Sequence, residues 1–239
     1  MASAQGAPQV QATLLAQPNP APNKPFWVAV HLQIPPGWHT YYINPGDSGG
    51  PLMLTWHLPK GYKAGPIRWP VPERKTVAGI AGYVYENSAW FFAQITPPKA
   101  AAPNPKIAAH AEWLVCKDIC VPQRADLTLQ QDENEDIAQA FAALPQPLPA
   151  GKARAQIFGK AAHLTVAVQG ANPEFFPASP DAFGADQSTF VNANGHLTIV
   201  TKLSQYAQGP PKRMQGILTL TGPNGKDAAY WIDAPLPNP

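Results

Sequence analysis

Cys116 and Cys120 are the two cysteines of the 239-residue chain, and they lie in Trp113-Leu114-Val115-Cys116-Lys117-Asp118-Ile119-Cys120-Val121-Pro122. Thiols with three residues between them can meet across a tight hairpin or a single loop. A disulfide there closes a five-residue ring, which in the loop-entropy model contributes about 2 kcal/mol, less than a bridge between distant segments. Two chemistries follow. The pair cycles between dithiol and disulfide, passing two electrons through a mixed disulfide, or it is a local clip. The C-x-x-x-C spacing alone leaves both open. Lys117 favours a thiolate and Asp118 opposes it, and no histidine adjoins either cysteine in sequence, so reactivity would depend on a partner's low-pKa thiol.

Other chemistries find less support. His110 with the two thiolates is a donor set suited to Cu(I) or Zn, but no second cysteine pair and no His-x-x-x-His completes a closed zinc site. Gly46-Asp47-Ser48-Gly49-Gly50-Pro51 spells the segment around a serine-protease nucleophile, yet no Asp or Glu precedes Asp47, so the His, Asp, Ser order of that triad cannot be assembled. A Gly/Pro-rich turn accounts for the string. The acidic run Asp132 to Asp136 lacks calcium-loop spacing, and no phosphate-cradling glycine loop follows a strand.

The elements that must position the cysteines read as β. Thirty prolines, 18 glycines and 13% charged residues argue for many short strands joined by turns. The net charge of +2, from 17 scattered basic residues, gives no stripe for nucleic acid. No apolar run approaches the roughly 20 residues of a membrane helix. The opening residues, Met1 to Gly6, lack the pattern of a signal peptide. They fit either a cytosolic chain or a mature fragment with a new initiator Met.

Residues 1–24 read as an extended lead-in, with Val10 to Ala16 as an edge strand. Alternating apolar residues mark strands at Phe26 to Ile34, Leu52 to Leu58, Trp90 to Thr96 and Ile107 to Val115. In the last of these, Ile107, Ala109, Ala111, Trp113 and Val115 share the core face, so Cys116 falls on the other, open face. Trp38, Trp56 and Trp69 read as rings filling the ends of the sandwich, and the Gly-flanked aromatic loop around Tyr83 and Tyr85 as a lid. Residues 25–131 thus form one β domain. Asp132-Glu133-Asn134-Glu135 opens a short helix carrying Ile137, Ala140, Phe141 and Leu144, and Pro145 to Pro149 ends it, so 132–149 is helix and linker. Residues 150–239 hold five or six short strands and read as a second sandwich.

Three segments in order, Gly37-Trp38-His39-Thr40-Tyr41-Tyr42 with Asn44 to Gly49, Trp69-Pro70-Val71-Pro72-Glu73-Arg74, and Trp113 to Pro122, resemble the N-terminal periplasmic region of DsbD-type thiol:disulfide interchange proteins. The ScsB-like branch, linked to suppression of copper sensitivity, is the nearest, since Glu174-Phe175-Phe176-Pro177 and Gly216-Ile217-Leu218 resemble its second β domain. The resemblance implies an all-β fold of two immunoglobulin-like sandwiches in the periplasm, as part of an inner-membrane protein. It implies that Cys116 and Cys120 are a redox pair needing no other cofactor, with Cys120 joining the partner. Electrons would come from membrane and thioredoxin-like domains of the full-length protein and pass to thioredoxin-fold partners, disulfide isomerases or ScsC-like proteins. By the same resemblance Tyr83, Val84, Tyr85 and Glu86 form a cap over the disulfide, and Tyr41 and Tyr42 line the site. Val84 stands where DsbD has a phenylalanine, which gives the shielding to Tyr83 or Tyr85, or to neither. A noncatalytic binding domain with a structural disulfide and a Cu(I)-binding copper-tolerance protein are the alternatives.

Overall fold

The computed structural model describes residues 9–17, 23–77, 79–100, 105–130, 135–180, 182–183, 188–204 and 211–237. Along them run β1 (Gln11–Ala16), β2 (Phe26–Gln33), β3 (His39–Gly46), β4 (Met53–His57), β5 (Lys63–Ala64) and β6 (Glu73–Val77). Then come β7 (Ile80–Glu86), β8 (Ser88–Thr96), β9 (Ala108–Cys116), β10 (Cys120–Gln130) and the helix α1 (Glu135–Ala142). The rest is β11 (Gln146–Pro147), β12 (Ala153–Phe158), β13 (Ala161–Val166), β14 (Ala171–Pro177), β15 (Thr189–Ala193), β16 (His196–Lys202), β17 (Arg213–Thr221) and β18 (Asp227–Pro235). The all-β reading therefore holds, with one short helix among the described residues. By its internal contacts the chain divides into two units. Unit 1 takes Met1–Tyr41, Gly49–Pro70 and Val84–Leu144; unit 2 takes Tyr42–Ser48, Val71–Tyr83 and Pro145–Pro239.

In unit 1 the strands are ordered β5-β8-β2-β1-β10-β9, and β4 pairs with β9. β1 lies between β2 and β10, hydrogen-bonded on both sides, rather than at the edge the sequence suggested. Its Leu14 is fully buried, which a strand with neighbours on both sides permits. β2 is buried on both faces: Val28, Val30 and Leu32 on one, as the alternation predicted, and Ala29 on the other. The second face is covered by α1 and the turn after it, where Ile137 and Leu144 pack with Leu15, Ala29 and Phe92, flanked by Trp27, Trp90 and Phe141. Arg68 lies over the rings of Trp27 and Phe141, 5.4 and 5.7 Å from their centroids, a cation–π arrangement. The helix ends at Ala142, before Leu144, the last apolar residue of the expected pattern. Asp132-Glu133-Asn134, the start of the expected capping box, lies outside the described residues.

Unit 2 contains two four-stranded sheets, β11-β18-β17-β14 and β12-β13-β16-β15. Leu164 and Val166 of β13 and Leu197 and Ile199 of β16 meet Phe175, Leu218 and Ile232 of the other sheet in one buried cluster. Period-two alternation on both sheets produces this core. β12 and β14 had no clear signal. The first alternates Arg154 and Gln156 with the small Ala153 and Ala155, a weak apolar signal, and the second carries Asn172-Pro173 near its start, a pair that reads as a turn. Gln146–Pro147, expected as linker, forms the edge strand β11 parallel to β18, a position that tolerates the missing N–H of proline.

Gly216 of β17 has no room for a side chain. A Cβ there would lie 2.4 Å from the Phe176 carbonyl oxygen and 2.7 Å from the Phe175 ring. Gly216→Ala should therefore lower stability by about 1–3 kcal/mol, the usual range for overpacking a filled core. Calorimetry of the intact chain checks this as a lowered melting transition.

Candidate functional site

The site is built on the β9–β10 hairpin. Antiparallel register places Cys116 directly opposite Cys120, and Lys117-Asp118-Ile119 forms the connection, with the Lys117 N–H donating to the Ile119 carbonyl at 3.1 Å. The two sulfurs are bonded, with Cα atoms 4.1 Å apart. This register follows from the other face of β9, where Ala109, Ala111, Trp113 and Val115 are all buried; slipping by one residue would expose them.

Parity does put Cys116 on the face opposite Trp113 and Val115, but that face is not open there. Cys116 is only 2% exposed, packed with Tyr41 and Val84, and Leu114 leans on the same cluster. Alternation fixes which side a residue faces and not what covers that side. Cys120, at the start of β10, is exposed. The neighbouring Ile119 is 59% exposed, an apolar side chain held in water beside the accessible sulfur.

The segment expected to be a loop-like lid is the strand β7, and its alternation sorts the cap residues. Val84 faces Cys116. The Tyr85 ring instead meets Phe91 edge-on at 5.3 Å, and its hydroxyl donates to the Pro70 carbonyl at 2.9 Å. Tyr83, in unit 2, lies edge-on to Phe176 at 5.6 Å and to Tyr42 at 6.4 Å, with the Arg74 guanidinium 5.0 Å from its ring centroid. Burial pushes the Tyr83 phenol up, as it does the Tyr42 phenol, to which Tyr83 adds. Of these residues it is Val84 that packs on Cys116, while Tyr42 belongs to the aromatic packing around Tyr83. Glu86, at the end of β7, is half-buried.

Tyr41 is the aromatic residue that reaches the sulfurs. Its hydroxyl is 3.7 Å from the Cys120 Sγ and 3.2 Å from the His39 Nε2. The His39 ring stands edge-on to the Tyr41 ring at 5.2 Å and is itself buried, 6% exposed. Burial pushes the Tyr41 phenol above its ordinary value, so its proton stays on at neutral pH. The Gly46-to-Pro51 string serves this placement. Gly49 has φ +107°, and a Cβ on it would come within 2.4 Å of the Tyr41 ring, so the protease-like glycine is the floor on which that ring lies. No histidine adjoins the cysteines in sequence, but His39 pairs across the ladder with Cys116. The available signal was His39-Thr40-Tyr41: two residues apart on a strand, His39 and Tyr41 share a face.

The metal reading loses its third donor. His110 lies six residues before Cys116 on β9, roughly 20 Å along an extended strand, and its Nδ1 is 2.6 Å from the Asp126 carboxylate. That hydrogen bond holds the Asp126 carboxyl below its usual value.

Residues 8–132 match the family model described as "Thiol:disulfide interchange protein DsbD, N-terminal". No curated protein matches the chain by sequence. Among solved structures, the N-terminal periplasmic domain of ScsB from Proteus mirabilis superimposes with a TM-score of 0.68 at 18% identity, covering 95% of this chain and 92% of that one. The periplasmic chaperone SfaE aligns at a TM-score of 0.24 and 6% identity, over 95% of this chain and 100% of that one. The major pilin subunit BcpA of Bacillus cereus aligns at 0.27 and 10%, over 94% and 65%. The fold match to ScsB and the family match agree with the resemblance read from the motifs. The chain, with its cysteine hairpin inside the matched segment, belongs to the family of the N-terminal domain of the thiol:disulfide interchange protein DsbD.

Proposed function

We propose that the chain is a periplasmic thiol:disulfide interchange module, relaying electrons from a membrane-embedded reductase domain of its full-length protein to thioredoxin-fold partners through Cys116 and Cys120. One observation carries this reading: the bridge joins the exposed residue Cys120 to the buried Cys116. Thiolate attack on a disulfide runs in line with the S–S bond. A donor can therefore approach Cys120 while Cys116 departs inward. The donor thiolate bonds to Cys120 Sγ, the S–S bond breaks, and Cys116 leaves as a thiolate that takes up a proton. The donor's second thiolate then attacks its own sulfur in the mixed disulfide and releases Cys120, so two electrons have passed and the donor is oxidised. The reverse sequence, begun by the Cys120 thiolate on a downstream disulfide, discharges the module. Val84 and Leu114 keep water and small thiols from Cys116, while Ile119 offers an approaching partner an apolar contact. Specificity then comes from exclusion as much as attraction. The family of the match and the fold likeness to the N-terminal periplasmic domain of ScsB support the periplasmic assignment.

The midpoint potential of the pair, read by alkylation trapping in dithiol buffers, should fall at roughly −270 to −180 mV, between thioredoxin and the disulfide isomerases. A value below about −300 mV would make the bridge a structural clip. In reduced chains, Cys116→Ala should leave a Cys120 that traps a thioredoxin-fold disulfide as a stable mixed disulfide. Cys120→Ala should react at least about tenfold more slowly, because a buried thiol is poorly accessible. Val84→Ala should speed reduction of the bridge by dithiothreitol about threefold or more, by uncovering Cys116; an unchanged rate would remove Val84 from the shield.

A further inference from the structure

We infer that His39 is a positioning residue for the exchange reaction: it acts through Tyr41, and the hydrogen bond between them turns the Tyr41 hydroxyl toward Cys120 when that sulfur is a thiolate. The inference rests on Cys120 being the exchanging sulfur and adds the group that prepares it. The three atoms form a line of contacts, with Nε2 to hydroxyl at 3.2 Å and hydroxyl to Sγ at 3.7 Å. A phenol has one proton to donate and can also accept. In the disulfide, Cys120 Sγ is a weak acceptor, so the Tyr41 proton goes to Nε2 and His39 accepts. Once Cys120 is a thiolate, it is the stronger acceptor, and a charge-assisted bond takes the Tyr41 proton. The Tyr41 oxygen then accepts, and Nε2 must carry a proton to supply it. The polarity of the Nε2 bond thus reverses with the redox state, and an N–H at Nε2 strengthens the bond that Tyr41 makes to sulfur.

The surroundings fit such a device. Burial of both His39 and the Tyr41 ring removes competing water, and Gly49 leaves the ring no freedom to swing toward its side. Because the phenol keeps its proton at neutral pH, Tyr41 donates and does not compete as an anion. The titratable groups on the adjoining elements are Tyr41 and Tyr42 on the same strand, Cys116, Glu112 and His110 on β9, Cys120, Arg124 and Asp126 on β10, Lys117 and Asp118 in the hairpin loop, and Tyr83, Tyr85 and Glu86 on β7. Lys117 lies nearest the turn before His39, with Nζ 3.9 Å from where a Cβ on Gly37 would be.

The test is the pH profile of Cys120 alkylation by iodoacetamide, measured on the full chain carrying Cys116→Ala so that one thiol reports. Tyr41→Phe should raise the apparent pKa of Cys120 by about one unit, a tenfold loss of thiolate below it. His39→Phe, which keeps a ring against Tyr41 but no nitrogen, should shift it the same way. His39→Gln, which keeps a donor, should restore most of the shift. In the Tyr41→Phe background His39→Phe should add nothing. A purely packing role predicts the opposite order, with Phe harmless and Gln damaging, and that order overturns the inference. So does a shift from His39→Phe that persists without the Tyr41 hydroxyl. A second measurement needs no variant: the His39 ring resonances of the unmutated chain should titrate differently in the oxidised and reduced forms, and identical titrations overturn it. Failure of the wild type to exchange with thioredoxin-fold proteins would defeat the relay function while leaving these profiles readable.

Discussion

The register between β9 and β10 is the constraint on which the site depends. It sets two cysteines face to face across a three-residue connection, and it is held by residues that do no chemistry, the buried row from Ala109 to Val115. Because side chains alternate with period two, burying that row commits Cys116 to the other face, where Tyr41, Val84 and Leu114 receive it. Cys120 begins the return strand and stays in water. A symmetric staple between two strands becomes a directional one because the two ends of the same bond meet different surroundings.

Much of this was legible in the chain itself. The cysteine pair, the parity of β9 and the alternation of β2 could be read directly, because strand period and core burial are local properties. The aromatic cap was misread for a physical reason. Gly79 and Gly82, with Tyr83 and Tyr85 after them, look like a loop, yet Ile80 to Glu86 is a strand between β6 and β3, the second of these distant in sequence. Tyr83 and Tyr85 seemed the natural shields because of their size, but the strand period turns both away and presents Val84. His39 was missed because sequence adjacency is a poor guide to a sheet, where the neighbour of Cys116 is supplied from β3, with the five strands β4 to β8 intervening along the chain. β11 was hidden by its prolines, which suit an edge but read as a linker.

The polar groups at the site are few and enclosed, which raises the weight of each. Among the described residues around the bridge, the Tyr41 hydroxyl lies 3.7 Å from the Cys120 sulfur and 3.2 Å from the His39 Nε2. His39 and the Tyr41 ring are buried, so the phenolic proton is held in place, whereas solvent screens a charge at the surface. The charged loop residues Lys117 and Asp118 are exposed, so their opposed influences are both weakened.

The alternation within β7 has a consequence for how the reactivity of the bridge can change over time. Position 84 covers the sulfur while positions 83 and 85 are committed to aromatic packing elsewhere, so the three neighbours answer to separate demands. A larger or smaller side chain at 84 can tune access to the disulfide without touching the rings on either side. The strand thus works as an adjustable gate whose hinges are fixed, and selection can set the permeability of the site one residue at a time.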